Sequence, residues 1–204
     1  MHLKTFLKMK ISSLAKLVLL LLLFTYPVKA LETTDHLIGK DGAKIKIEIF
    51  SSLTCPHCAK LHLNVLPELI KNYADTEKAS INLKDFPLDL PALNAAKIAK
   101  CISPKKILKY YDTIYSTQPE WVTGSNIGEI NKKLKKISLE FGLNNETFET
   151  CLNNEKNEEL VLKSRIEAQK KYNINSTPTI IINNKKYNGD YTFSAISKYI
   201  EKLN

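Results

Sequence analysis

Hydrophobic and polar positions change period several times along the chain. Lys44-Ile45-Lys46-Ile47-Glu48-Ile49-Phe50 alternates without a break and is rich in β-branched residues, which predicts a strand with one buried face. From Cys55 to about Tyr73 the apolar residues Leu61, Val65, Leu66, Leu69 and Ile70 recur at steps of three and four, the spacing of an amphipathic helix. Alternation returns in Ile81-Asn82-Leu83-Lys84-Asp85-Phe86 and stops at Pro87. Strand, helix and strand in this order predict a βαβ unit with a parallel pair. Residues 31–43 are polar, contain Gly39 and Gly42, and read as an N-terminal arm.

From about Leu90 to Tyr172 only helical patterns occur. One stretch carries Ala92, Leu93, Ala95, Ala96, Ile98 and Ala99, and a second opens at Pro104 and includes Tyr110, Tyr111, Ile114 and Tyr115. Pro119–Asn126 reads as a loop, with Trp121 as a partly buried aromatic anchor beside Tyr115. Ile127–Phe141 is a lysine-rich amphipathic helix ended at Gly142, and Asn145–Asn153 and Glu155–Tyr172 complete the block. Strand character resumes in Thr179-Ile180-Ile181-Ile182, and Asn183-Asn184 is a turn signal that lets Lys185-Lys186-Tyr187 pair back as a hairpin. Phe193, Ile196, Tyr199, Ile200 and Leu203 mark a closing helix. The chain is therefore α/β, with an all-helical block over about 90–172 set between two halves of a mixed sheet flanked by helices.

Residues 1–30 stand apart. Lys4, Lys8, Lys10 and Lys16 precede the apolar run Leu17–Phe24, and Val28-Lys29-Ala30 follows. This is the pattern of a secretory signal peptide, with an uncleaved anchor as the alternative. The apolar core is short for a membrane span. Removal at Ala30 would leave 204 − 30 = 174 residues, 31–204, a suitable length for one domain. The leader carries five of the 30 basic residues and no acidic one, so the formal charge of the remainder is 25 − 21 = +4. Lysines alternate with glutamates, which describes a solvated surface, and no basic stripe with interleaved aromatics suggests nucleic-acid binding.

All four cysteines, Cys55, Cys58, Cys101 and Cys151, follow the leader. An even count in an oxidising compartment, the periplasm for an exported bacterial chain, favours disulfides, and one Cys-x-x-Cys without a second ligand pair is a weak zinc signal; no metal is expected. Cys55-Pro56-His57-Cys58 lies where a strand gives way to a helix. There the sulfurs approach unpaired N–H groups and the positive end of the helix dipole, which favours a thiolate. Pro56 fits the first turn, where its missing N–H costs nothing. The pattern predicts a labile redox pair, with His57 assisting electrostatically. His62, on the same helix, reads as a surface residue. Cys101 and Cys151 have no partner at redox spacing and read as a bracing disulfide.

The strand into Cys55-Pro56-His57-Cys58, the late Ser176-Thr177-Pro178-Thr179 before a hairpin and helix, the inserted helices and Asp85-Phe86-Pro87-Leu88 together resemble the DsbA-type thiol:disulfide oxidoreductases of the thioredoxin-fold superfamily. The resemblance covers nearly the whole chain from Ile45 onward. It implies that Cys55 attacks and carries the mixed disulfide, that Cys58 resolves it, that Pro178 is cis against the pair, and that the backbone of Thr177 meets the substrate chain. It implies no cofactor beyond the Cys55–Cys58 disulfide itself. It also implies cysteine-bearing, unfolded exported proteins as substrates and a membrane reoxidase of the DsbB type as partner. Two positions differ from many relatives. Ile49 stands six residues before Cys55, where those relatives carry an acid, and Glu48 should face away from the site by alternation. Thr177 precedes the proline, as it often does in isomerases and reductases. A disulfide isomerase or reductase, and a redox-inactive chaperone or metal-binding module, are the alternative functions.

Overall fold

The computed structural model describes residues 36–203, and the leader assigned to 1–30 lies outside them. Strand β1 is His36–Gly39 and β2 is Ile45–Ser51. Helix α1, Pro56–Asn64, leads into the short α2, Leu66–Leu69. One wide turn, Ile70–Ala74, closed by Asp75 N–H donating to the Ile70 carbonyl at 2.9 Å, ends this arm. Strand β3 is Ala79–Asp85. The helical block consists of α3 (Leu90–Ala99), α4 (Ile107–Ser116), α5 (Gln118–Trp121), α6 (Ile127–Glu140), α7 (Asn145–Leu152) and α8 (Glu155–Tyr172). The chain closes with β4 (Thr179–Ile182), β5 (Lys185–Lys186) and α9 (Phe193–Glu201).

The sheet runs β1-β3-β2-β4-β5. Strands β2 and β3 are parallel, as the strand–helix–strand pattern predicts, and the other neighbours are antiparallel. The residues read as an N-terminal arm contain a strand. β1 pairs with the free edge of β3, His36 opposite Leu83, and its four residues are too few to show a strand period in the sequence. Gly39 ends it at φ +88°, and a Cβ there would come within 2.8 Å of the Ala79 carbonyl, so the strand can only turn away at a glycine.

Ile45, Ile47 and Ile49 turn one way from β2 and are buried under α1, α2 and α9 by Leu61, Leu66, Leu69, Ile196 and Ile200. Phe50 turns the other way and packs with Phe86, Ala168, Ile174 and Ile181. The central strand is thus covered on both sides. Each fully buried aliphatic side chain contributes about 2 kcal/mol. The predicted single helix from Cys55 to Tyr73 is broken at Val65, because Pro67 has no N–H to continue the ladder. The predicted loop at 119–126 begins with a helical turn, and Trp121 is wholly buried, its indole N–H donating to the Ile114 carbonyl at 2.8 Å. Asn183 and Asn184 both take positive φ, 48° and 63°, the backbone of a two-residue hairpin turn.

The helical block has its own core of Ile98, Tyr110, Ile114, Leu134, Phe148 and Val161, and Leu53, Cys55 and Cys58 belong to the same cluster. The redox motif therefore sits at the seam between the sheet and the inserted helices. Cys101 and Cys151 are bonded, with Cα atoms 6.2 Å apart, tying the end of α3 to α7. Among the described residues no helix is long and apolar enough to cross a membrane.

Candidate active site

Cys55 is the residue before the first turn of α1. Its backbone is extended, at φ −81° and ψ 119°, Pro56 occupies the first helical position, and no side chain caps the helix. The first N–H groups of α1 are thus left to whatever charge stands in front of them. Both cysteines are free thiols here. Cys55 is 9% exposed and Cys58 is not exposed at all.

The two thiols are driven apart in acidity. Cys55 is pulled down to about 5, first by the Cys58 thiol donating to it, then by the Thr177 hydroxyl and the N–H groups of Cys58 and His57, all working against desolvation. Cys58 is pushed far above the ordinary thiol range by burial and by giving its hydrogen bond to Cys55. A single arrangement therefore creates a thiolate nucleophile at the surface of the motif and a protonated thiol beneath it. His57 and Pro56 are exposed on the first turn.

The third wall comes from the far end of the chain. The Thr177–Pro178 bond is cis, and the Cys55 thiol donates to the Thr177 carbonyl at 3.5 Å across 122 residues. The Thr177 hydroxyl is buried without a hydrogen-bond partner, so the Cys58 thiol, not this hydroxyl, is the main donor that favours the Cys55 thiolate. Residues 55, 58, 177 and 178, separated in sequence, form one site.

The loop carrying Cys55 is held by residues the pattern did not single out. Gln118, at the start of α5 and 5% exposed, donates through Nε2 to the carbonyls of Leu53 (2.8 Å) and Cys55 (3.2 Å). Thr54 donates to Asp89 at 2.8 Å, while the other Asp89 oxygen caps α3 by accepting from Ala92 N–H. The Ser52 hydroxyl accepts from Leu88 N–H at 3.3 Å. Gln118 lies directly before Pro119 and the segment read as a loop, and the sequence carries no local mark of its burial.

His62 requires a correction. It was expected on the surface, yet it is 7% exposed, and its Nε2 lies 2.9 Å from Asp112 Oδ1 on α4. The position belongs to the face of α1 that α4 covers, and α4 cannot be located from local periodicity. Ile49 is buried under the motif, and Glu48 lies on the opposite face, accepting from the Tyr172 hydroxyl at 2.8 Å, as the alternation requires. Among the described residues no group of three or more His, Cys, Asp or Glu is placed to hold a metal ion.

Comparison with known proteins agrees with this geometry. Residues 31–202 match the family model described as Thioredoxin. A Bacillus anthracis protein named for disulfide bond formation, protein D, is 31% identical over 180 residues, covering 83% of this chain and 78% of its own. A Rickettsia conorii protein named for protein-disulfide oxidoreductase activity is 26% identical over 182 residues, and the chain spans 64% of its length. The crystal structure of alpha-DsbA1 from Wolbachia pipientis superposes with a TM-score of 0.74 at 27% identity, over 83% of this chain and 90% of that one.

Proposed function

The chain belongs to this thioredoxin family, in its DsbA-like form, and from that premise we propose that it is an exported thiol:disulfide oxidoreductase that donates its Cys55–Cys58 disulfide to cysteines of newly exported proteins. The observation that carries this reading is the placement of Cys55 at the uncapped start of α1, beside the Thr177 carbonyl and above the wholly buried Cys58 thiol, which drives the two acidities apart. A stable Cys55 thiolate stabilises the reduced protein, and that makes the disulfide a strong oxidant.

The geometry supports the following cycle. A substrate thiolate attacks Cys55 Sγ, the S–S bond to Cys58 breaks, and Cys58 leaves as a thiolate that takes up a proton. A second substrate thiolate then attacks the substrate sulfur of the mixed disulfide, and Cys55 leaves as the stabilised thiolate. The substrate gains a disulfide, and the protein is left as a dithiol. The Thr177 carbonyl beside Cys55 supports backbone pairing with the substrate chain. His57, exposed beside Cys55, tunes the thiolate. A DsbB-like membrane protein would restore the disulfide, and the periplasm is where such traffic occurs.

The test is oxidation of a reduced, unfolded cysteine-bearing protein with glutathione disulfide as terminal oxidant. Catalysed gain of substrate disulfides without added metal is expected. Absence of catalysis, with the protein folded and Cys55 accessible to alkylation, would remove the reading.

A further inference from the structure

Cys58 has to gain and lose a proton in every cycle proposed above, yet it is wholly shielded from solvent. Ile49, under the motif, offers no acid or base. Beneath α1, however, lies a cavity of about 20 Å³ lined by Cys58, Ser51, His62, Asp85 and Tyr115 among others. Its size suits a single water, and its walls supply the polar partners such a water needs.

We propose that His62, oriented by Asp112, is the proton acceptor for Cys58, reached through one water in this cavity. The inference rests on the oxidoreductase reading and supplies the proton route that reading lacks. Cys58 and His62 are four residues apart on α1, so they share a face. Both line the cavity, where a single water can bridge the thiol and the imidazole. A carboxylate can only accept, so at the 2.9 Å contact Nε2–H donates to Asp112 Oδ1. The tautomer assigned by that bond leaves Nδ1 with its lone pair. The ring is further held by Tyr115 at 4.7 Å and Tyr111 at 6.3 Å between centroids.

The charged and titratable groups around His62 fit this role. Burial lowers its pKa more than Asp112 raises it, so at neutral pH the ring is uncharged and able to accept. From α4, burial raises Tyr115 well above its ordinary value, so it keeps its proton, and Tyr111 offers only its ring edge and phenol. From β3, Asp85 is bound to Lys100, the residue after α3, at 2.6 Å, and Lys84 lies near Glu48 at 3.9 Å. His62 alone among them is neutral, basic and fixed by a second group.

When Cys58 resolves a mixed disulfide, its thiol proton passes to the water and a water proton passes to His62. The Cys58 thiolate forms the bond to Cys55 Sγ, the Cys55–partner S–S bond breaks, and the partner leaves as a thiolate with the electron pair. The two protein sulfurs are oxidised and the partner thiol is reduced. The imidazolium returns its proton to solvent. Run backwards, the same route protonates Cys58 when a substrate attacks Cys55.

The test mixes reduced protein with excess glutathione disulfide and separates two steps by acid quench and mass analysis. Formation of the Cys55–glutathione disulfide rises with glutathione disulfide concentration, and resolution by Cys58 does not. His62→Gln should slow resolution by about 100-fold at neutral pH, the lower range for a lost general base, and flatten its pH profile, with formation unchanged. Asp112→Asn, at a half-exposed position, should keep the fold and slow resolution by a smaller factor. Asp85→Asn, at the cavity wall, should slow resolution less than His62→Gln does. Resolution in His62→Gln within about two-fold of wild type with the same pH profile would overturn the proposal, as would a larger loss in Asp85→Asn than in His62→Gln. If the wild-type protein formed no disulfide with glutathione at Cys55, the oxidoreductase reading itself would fall, and the proton route with it.

Discussion

Gln118 holds the Cys55 carbonyl from 63 residues away, its buried amide donating to that oxygen at 3.2 Å and to Leu53 at 2.8 Å. The first turn of α1 has no side-chain cap, so the position of the Cys55 sulfur depends on this amide and on the Thr54–Asp89 hydrogen bond. Gln118→Leu would leave the buried Leu53 carbonyl without a donor, at about 1–3 kcal/mol, and the Cys55 carbonyl with only the Ala59 N–H of α1. Denaturant unfolding should show a loss in that range, with a rise in the Cys55 pKa as the loop relaxes. Unchanged stability would mean that water replaces the amide without cost.

The roles of the two cysteines separate by substitution. Cys55→Ser should abolish turnover, since the remaining thiol is wholly buried and strongly protonated. Cys58→Ser should accumulate a mixed disulfide at Cys55, detected as a mass adduct on a reduced substrate protein. Turnover in Cys55→Ser, or full activity in Cys58→Ser, would reverse the assignment.

The Cys101–Cys151 bond closes a loop of 50 residues. On the chain-entropy account such a closure contributes about 4 kcal/mol, less any strain. It should stay oxidised at potentials that open Cys55–Cys58, as read by alkylation and mass spectrometry under graded reduction. The double substitution to alanine should lower stability by up to about 4 kcal/mol and leave the Cys55 pKa unchanged.

Acidity gives a signed prediction. The Cys55 pKa in the folded, reduced protein is about 5, below the ordinary thiol value of 9.0. Between these values the unfolded chain binds a proton that the folded chain does not, so stability rises with pH. It is fully present above the ordinary thiol value and is lost as pH falls through about 5. Cys58 has the opposite shift, so the reduced form should weaken again above the ordinary thiol range. Thiolate absorbance near about 240 nm should titrate with a midpoint near that of Cys55. In His57→Ser the midpoint should rise while catalysis survives, because the backbone N–H groups around Cys55 remain. An unmoved midpoint would make the imidazole a bystander.

How much of this was legible in the sequence depended on whether a feature was local. Strands β2, β3 and β4 and the helical block follow from periodicity over six or more residues or from β-branched runs, and the motif's place at a strand–helix junction follows with them. β1 was missed because its four residues pair with a strand more than forty residues away. His62 looked like a surface residue because α1 gives no sign that α4 lies across it. Gln118 stands just before the segment read as a loop, Pro119–Asn126, and its burial comes from a helical turn that packs Trp121 into the core. The Asp85–Lys100 pair, both side chains buried, likewise joins two elements that no local pattern brings together.

The Cys55–Cys58 reduction potential tests the central claim most directly. Equilibration in glutathione buffers of graded composition, with each redox form counted by alkylation, gives the value. A Cys55 thiolate held as low as the geometry implies should place the couple among the oxidants, more positive than about −180 mV. A potential near that of thioredoxin, about −270 mV, would mean that the thiolate is not stabilised in the reduced protein, and would contradict the proposed direction of transfer.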